Sequence, residues 1–412
     1  MFIVKSFRYY KKIYGEEKNQ YDRDSKKILY ILYWILLCIC TLGFGLIIRI
    51  FLNFLFKNVI CKRKIGFAFT DYDVELVKIL QKLGLNFQCI SFGKINNDSI
   101  DGVNVSHLII FLASLANAKH TILELYSSRN DYTASFNKVR IIKLCGLIFL
   151  YKLLLKKKSV LINFNDHSIY NVCLYDYADN LNIYSVYIQH APVGYHFPAL
   201  YHDLNILFSE DSLEKYKKNN NKIGTFLLFD IRFYNVSEKI KPISIVDIKN
   251  VLICINEIDD MSVIIDTAKK LKMAGYSVKI RPHPRDKNKF KDIGGFDLSE
   301  CGVIWDDLSN ANIILTNESA VVLEAIFAKR LIYKCAFFST SFDNYSFLKK
   351  KILLKEYNNI ETLITDIKAE KLVYDDRLVP YFIGNFENIS EKMVEINLKL
   401  DTVLNINDYK NY

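Results

Sequence analysis

Four short stretches each gather side chains able to do polar chemistry. In "FNDHS", Asp166 is a carboxylate able to take a proton from an attacking hydroxyl. In "VYIQHAPVGYHFPAL", a strand-like run ends in Gln189-His190, and two of the six prolines and two of the seven histidines fall in this one stretch. His190 is the second candidate base. In "YSVKIRPHPR", Arg281, His283 and Arg285 offer charge-assisted hydrogen bonds to phosphate oxygens, while Pro282 and Pro284 stiffen the backbone and end the strand. In "NIILTNESAVVLEA", a strand passes into a helix at Asn317-Glu318-Ser319. Free N–H groups at that helix start, together with the Ser319 hydroxyl, suit a phosphate, and Glu318 is a favourable N-terminal charge. Glu324, further along the helix, is placed to meet a ribose. Plainer readings stand beside these: a basic surface turn at Arg281–Arg285, an ordinary capped helix after Asn317, and a helix cap at Asp166.

Those residues need a scaffold that collects them. From Lys64 onward, short β-rich runs alternate with helical ones. "KIGFAFT", "NFQCISF", "HTILELY", "SVLINFN", "YSVYIQH" and "NILFSE" read as strands. Between them lie a helix capped by Asp71 and stopped at Gly84, a basic apolar helix over 134–156, and a helix in "SIYNVCLYDYADNLN". After a polar stretch at 236–248 the alternation restarts, with strands "VLICIN", "YSVKIRPHP", "GVIW", "NIILTN" and "RLIYKC". This pattern predicts an α/β protein of two Rossmann-like domains, each a parallel sheet covered on both faces. The expected boundaries are 1–61 for a basic segment with a hydrophobic helix, 62–235 for the first domain, 236–248 for a linker, 249–385 for the second domain and 386–412 for a closing helix and tail. In parallel sheets ligands bind beyond the carboxyl ends of the strands. All four polar clusters fall at such ends, two in each half, which points to an active-site cleft.

Composition narrows the class. The 412 residues carry a formal charge of +10, and no acidic residue occurs from Thr133 to Asn165. The nine cysteines form no Cys-x-x-Cys pair, which argues for reduced thiols and against zinc. There is no P-loop and no G-x-G-x-x-G, so a dehydrogenase or NTPase is not expected. Asp71 and Asp73 form a loose Asp-x-Asp, too weak to expect a metal site. Ile28 to Ile48 holds no charge, Arg49 interrupts, and the apolar run continues to Phe56, with basic residues on both flanks. As a helix the uncharged run would span roughly 30 Å. Two basic flanks fit a helix lying in, or re-entering, an anionic leaflet on the cytoplasmic face of a bacterial inner membrane. A buried core helix is the alternative. No nucleic-acid partner is expected.

The two Rossmann halves, the Gln-His ending, "RPHP" and "TNESAVVLEA" resemble GT-B fold glycosyltransferases of bacterial surface polysaccharide synthesis, of the capsule and O-antigen type. The His-Pro element with Ser319 is similar to donor-site motifs of bacterial sialyltransferases and of CDP-glycerol glycerophosphotransferases. The resemblance implies that His283, Pro284 and Ser319 hold the phosphate of a CMP, CDP or UDP donor. It implies no metal and no cofactor beyond the nucleotide-activated sugar itself, and a lipid-linked or polymeric glycan as acceptor. Two departures stand out: Gln189-His190 is followed by Ala191 where related chains have Gly, and Asp259-Asp260 match the sialyltransferase base motif poorly. A CDP-polyol phosphotransferase, a nucleotide-sugar 2-epimerase on the same fold and a non-catalytic assembly scaffold are the competing expectations.

Overall fold

In the computed structural model the described residues are 32–33, 35–57, 63–92, 102–127, 134–155, 159–165, 168–195, 197, 199–218, 224–234, 236, 249–256, 258–283, 295–300, 303–317, 319–339, 355–369, 377–385 and 387–409. Runs of Val, Ile, Leu and Phe form two parallel sheets. In the first, β1 (Lys64–Ala68), β2 (Gln88–Phe92), β3 (Gly102–Val105), β4 (Val160–Asn163), β5 (Tyr184–Ile188), β6 (Leu204–Leu207) and β7 (Gly224–Leu227) lie in the order β3-β2-β1-β4-β5-β6-β7. In the second, β8 (Asn250–Cys254), β9 (Ser277–Arg281), β10 (Asp297–Leu298), β11 (Ile313–Thr316), β12 (Leu331–Cys335) and β13 (Lys355–Tyr357) lie in the order β10-β9-β8-β11-β12-β13. Strands β1, β4, β6 and β11 are buried along their whole length, as a sheet covered on both faces requires. Strand order reverses once in each sheet, between β1 and β4 and between β8 and β11. These reversals open the crevices where ligands of such folds sit.

The expected architecture of two α/β domains is present, with local differences. "HTILELY" is part of a helix, Ala118–Ser127. Its buried residues Ala118, Thr121 and Leu125 follow the helical period, and Leu123 between them is exposed. "GVIW" opens the helix Ile304–Asn310, whose first turn carries Asp306 and Asp307, favourable at a helix N-terminus. The helix after β1 is Asp71–Lys82, capped by Thr70 and not by Asp71. Thr70 Oγ1 accepts from the Asp73 N–H while Asp73 accepts from the Thr70 N–H, so the Asp73 carboxylate is spent on a capping box.

Helices 45–56, 107–116, 118–127, 134–154 and 169–180 cover one face of the first sheet. Helix 134–154 is central to this core: Leu144, Cys145, Leu147, Leu150 and Tyr151 are buried, while Lys152 is exposed. It crosses helix 107–116 so closely that a Cβ on Gly146 would lie 2.1 Å from the Ile110 carbonyl oxygen. The N-terminal apolar segment is not one continuous helix. It breaks at Gly43, whose φ is 120°, and resumes as Gly45–Phe56. Leu52 and Phe56 pack inward, while Ile47, Ile50, Phe51 and Phe54 (81% exposed) face outward. Among the described residues no single helix is long and apolar enough to cross a membrane. One pair, His107–Ala116 with Ala118–Leu125, passes that test together but is bent by 89°.

The opposite face of the first sheet is covered by helix 71–82 and by the last helix, Ile389–Tyr409. The latter buries Met393, Ile396 and Leu400 against Val77 and Leu80. Lys64 pairs with Asp401 at 2.8 Å, and Asn397 donates to the Gly84 carbonyl at 2.7 Å. The closing segment thus belongs to the first domain's core. The chain leaves and re-enters that domain at one place. Phe229 bridges Gly384, and the Asp230 N–H donates to the Ile383 carbonyl at 2.6 Å. Gly384 has φ 97°, and a side chain there would meet the Phe208 carbonyl at 2.2 Å, so glycine is required. Within the next turn, Ile231 joins the first core and Phe233 the second, stacked on Phe327 at 4.6 Å.

Candidate functional site

At the first reversal, β4 ends in Asn163, Asn165 lies two residues beyond it, and the following helix, Ile169–Asn180, is capped by Ser168. Two hydrogen-bonded branches start at Ser168. Its N–H donates to Asn165 Oδ1 at 2.7 Å, which leaves Asn165 Nδ2 to donate to His190 Nε2 at 3.2 Å. Its hydroxyl donates to Asn171 Oδ1 at 2.7 Å; Asn171 Nδ2 donates to Asn163 Oδ1, and Asn163 Nδ2 meets His202 Nε2 at 3.1 Å. Each amide is oriented by the donor before it. Both imidazoles are therefore assigned as acceptors at Nε2, with the proton on Nδ1.

This bears on His190 as a base. Its Nε2 lone pair is engaged by Asn165 and its Nδ1 is buried. A general base needs a lone pair facing its substrate. In this arrangement His190 is a positioned neutral ring. Gln189 is fully buried and fixes the turn that carries it: Nε2 donates to the Ala191 carbonyl at 2.8 Å and to Ser212 Oγ at 3.0 Å, and Oε1 accepts from the Phe208 N–H at 3.0 Å. The other base candidate, Asp166, lies outside the described residues.

At the second reversal, beyond β8 and β11, Asn317, Ser339 and Asp259 come together. Asn317 Nδ2 donates to Ser339 Oγ at 2.7 Å. Asp259 accepts from the Asn256 N–H at 2.8 Å and from the Ser339 and Asn317 side chains. Burial nevertheless lifts the Asp259 carboxyl above its ordinary value, against the pull of those hydrogen bonds. The Asn317 amide is thus turned toward Ser339 and Asp259. Thr316 Oγ1, buried beside it, has no hydrogen-bond partner among the described residues. Ser319 Oγ accepts from the Val321 N–H at 3.3 Å, and the helix it precedes, Val321–Phe327, has only seven residues.

Arg281 differs from expectation. It is 8% exposed, and its Nη1 donates to Ser299 Oγ at 3.2 Å and to Asp307. Lys279 also reaches Asp307, at 3.1 Å. Burial opposes the charge of Asp307, but Ser299, Arg281 and Lys279 outweigh it and hold the carboxyl below its ordinary value. A guanidinium already matched in this way is a brace between β9 and helix 304–310, and its expected phosphate contact is not set up here. His283 lies two residues past β9 and is half-buried; Pro284, Arg285 and Glu318 fall outside the described residues. Glu324, expected at a ribose, pairs with Arg232 at 3.3 Å, and Arg232 is clamped by the buried Asp230. Glu324 Oε2 is buried without a partner among the described residues, and burial raises its carboxyl despite Arg232.

Asp259, Ser339, Ser168 and His202 were not singled out by sequence reasoning. Asp259 was compared with a motif it matches poorly, and Ser339 lies beyond β12, where no cluster is visible in the string.

No protein-family model matches the chain, and no curated protein matches it. Solved structures do. UDP-GlcNAc 2-epimerase from Neisseria meningitidis, bound to UDP-GlcNAc, is 14% identical, with 82% of this chain and 100% of that one covered at a TM-score of 0.50. The wall teichoic acid polymerase TagF is 12% identical over 98% of both chains, TM-score 0.49. The calicheamicin glycosyltransferase CalG4 is 9% identical, covering 84% of this chain and 95% of its own, TM-score 0.44. The epimerase likeness shows the fold, the two-domain GT-B arrangement, and nothing finer.

Proposed function

We propose that the protein is a glycosyltransferase that moves a sugar from a nucleotide-activated donor to a lipid-linked or polymeric glycan. The observation that carries this reading is the pair of polar crevices at the two sheet reversals, one in each domain of a GT-B fold. The epimerase of this fold is bound to UDP-GlcNAc, and we bring that ligand class to the second crevice. There Asn317 meets the nucleoside, while His283 and Ser319 meet the phosphate. In the first crevice the acceptor hydroxyl attacks the anomeric carbon and its proton passes to Asp166. The bond from that carbon to the donor phosphate breaks, and its electron pair leaves on the phosphate. His190, fixed by Asn165, positions the acceptor.

A CMP, CDP, UDP and GDP thermal-shift panel tests this reading, because a bound nucleotide stabilises by RT ln(1 + [L]/Kd). His283→Ala should weaken the preferred nucleotide about tenfold. No stabilisation by any of the four would leave the scaffold reading in its place. A CDP-polyol transferase would use the same crevice and break the phosphoanhydride bond instead.

The outward apolar side chains Ile47, Ile50, Phe51 and Phe54 support membrane association, with the helix lying in the cytoplasmic leaflet of a bacterial inner membrane. Replacing Phe51 and Phe54 by Ser should move the protein off anionic vesicles in a flotation assay. A 2-epimerase would share this fold, and C2 inversion of UDP-GlcNAc, followed by NMR, would establish that reading.

A further inference from the structure

A pocket adjoins the first crevice and runs from it along the flank of the first domain. Among the described residues between β5 and β6 there is no helix, and the crossover there is irregular. Between it and helix 169–180 is a pocket of about 260 Å³. Asn171, Tyr175 and Asp179 follow one another at four-residue steps, so one face of the helix forms the wall. Asn163 and His202 form the floor, held in orientation by the branch from Ser168.

We propose that this pocket binds one uncharged sugar residue of the acceptor glycan. The inference rests on the glycosyltransferase reading above. Three features carry it. Tyr175 and Tyr201 present rings 6.4 Å apart and inclined by 30°, and the Tyr175 hydroxyl donates to the Tyr201 carbonyl at 2.7 Å, which holds both in place. Tyr201 is 50% exposed, a ready platform for the C–H face of a pyranose. Asp176 and Asp179 stand on the rim and can each accept from sugar hydroxyls. The volume falls just below the roughly 300–1,000 Å³ of pockets for drug-sized ligands, which leaves room for a single sugar ring.

The carboxylates also select against charge. Asp179, Asp203 and Asp176 add to burial in pushing the Tyr175 hydroxyl above its ordinary value, so the negative field reaches into the pocket. Phosphate, sulfate and carboxylate groups are repelled there. A poly(polyol phosphate) chain does not fit this site; a neutral glycan does. Asn171 to Asp179 covers about 12 Å along the helix axis, directed away from the crevice. The pocket therefore holds a sugar set back from the reacting end of the acceptor.

Saturation-transfer NMR on the full-length chain tests this, with lactose, maltose and N,N′-diacetylchitobiose as neutral probes and glycerol 3-phosphate as the anionic one. At least one neutral disaccharide should bind with a Kd of about 1–10 mM. Tyr201→Ala, at a half-exposed position, should weaken it about fivefold or more, and Asp179→Asn by less. Glycerol 3-phosphate should give no signal on the wild type and gain one in Asp176→Lys. Silence from all three disaccharides, an unchanged signal in Tyr201→Ala, or binding of glycerol 3-phosphate to the wild type would each overturn the proposal. Nucleotide titration of the same samples separates the two readings. Intact nucleotide binding with no sugar signal removes the pocket alone, whereas disaccharide binding without nucleotide binding removes the transferase.

Discussion

The two sheet reversals use the same topology and opposite electrostatics. Around the first, among the described residues, the network consists of carboxamides, a serine and two imidazoles, all neutral and each oriented by the one before. Around the second, polar order is built on charge: Asp259 held by Ser339 and Asn317, and Asp307 braced to Arg281 and Lys279. A neutral edge can orient a hydroxyl without competing for its proton. A charged and partly desolvated edge can meet a ligand that brings its own charge, because its cations and carboxylates are already placed. The same sheet plan thus carries two kinds of polar edge, and the contrast can be broken at named residues.

The largest effect is expected at the brace. Asp307→Ala leaves the buried Arg281 uncompensated and should lower unfolding free energy by about 3 kcal/mol or more in urea titrations. Adding Arg281→Met should recover part of that loss. A loss under about 1 kcal/mol in the single variant would mean that charge does not organise the second edge.

Next comes the proton. Asp166→Asn should cut turnover about a hundredfold or more with nucleotide affinity unchanged. If His190→Ala does this while Asp166→Asn is silent, the neutral network is itself the base, and the contrast between the edges is wrong as drawn.

Ser168→Ala removes the hydroxyl that starts one branch and caps the helix, and should cost about 1 kcal/mol in thermal unfolding. Its effect on turnover should be smaller than that of Asp166→Asn. Unchanged stability would show that the amide chain orders itself without its first donor.

The smallest effect concerns pH. The Asp259 carboxyl is raised by burial from an ordinary 3.8, with Asn256, Ser339 and Asn317 opposing. A raised folded value means its contribution is complete below the ordinary value and is lost as pH rises through the folded one. Asp259→Asn should therefore flatten the decline of Tm across that window and raise Tm slightly at neutral pH. Parallel Tm–pH curves for the two proteins would show it, and coincident curves would rule it out.

The comparison also shows what a sequence can disclose. The central strands were legible because parallel strands buried on both faces are continuous apolar runs, as in "VLINF" and "NIILT". The strands that escaped notice, β3, β7, β10 and β13, are the four sheet edges, half-exposed and short, with no such run to read. Of the site, the strand-end positions of Asn165, His190, Arg281 and Asn317 were legible, because topology alone puts them there. Their partners were not. Nothing in "RPHP" reveals that Arg281 meets Asp307 across a helix, and nothing in "FFSTS" reveals that Ser339 meets Asn317. Contacts between distant segments depend on packing, which local pattern does not encode.

The single crossing at Phe229–Gly384 has a consequence for how the chain tolerates change. Seen from the first domain, the chain from Arg232 to Ile383 is one loop, pinned at its base by the Asp230–Ile383 hydrogen bond. The entropy of closing a loop grows only with the logarithm of its length, about 0.6 kcal/mol for each doubling. The first domain should thus be almost indifferent to what is carried beyond the pin. The second domain could then drift, or be exchanged wholesale, by replacing that loop, while the first domain's framework and its last helix remain folded around the same core.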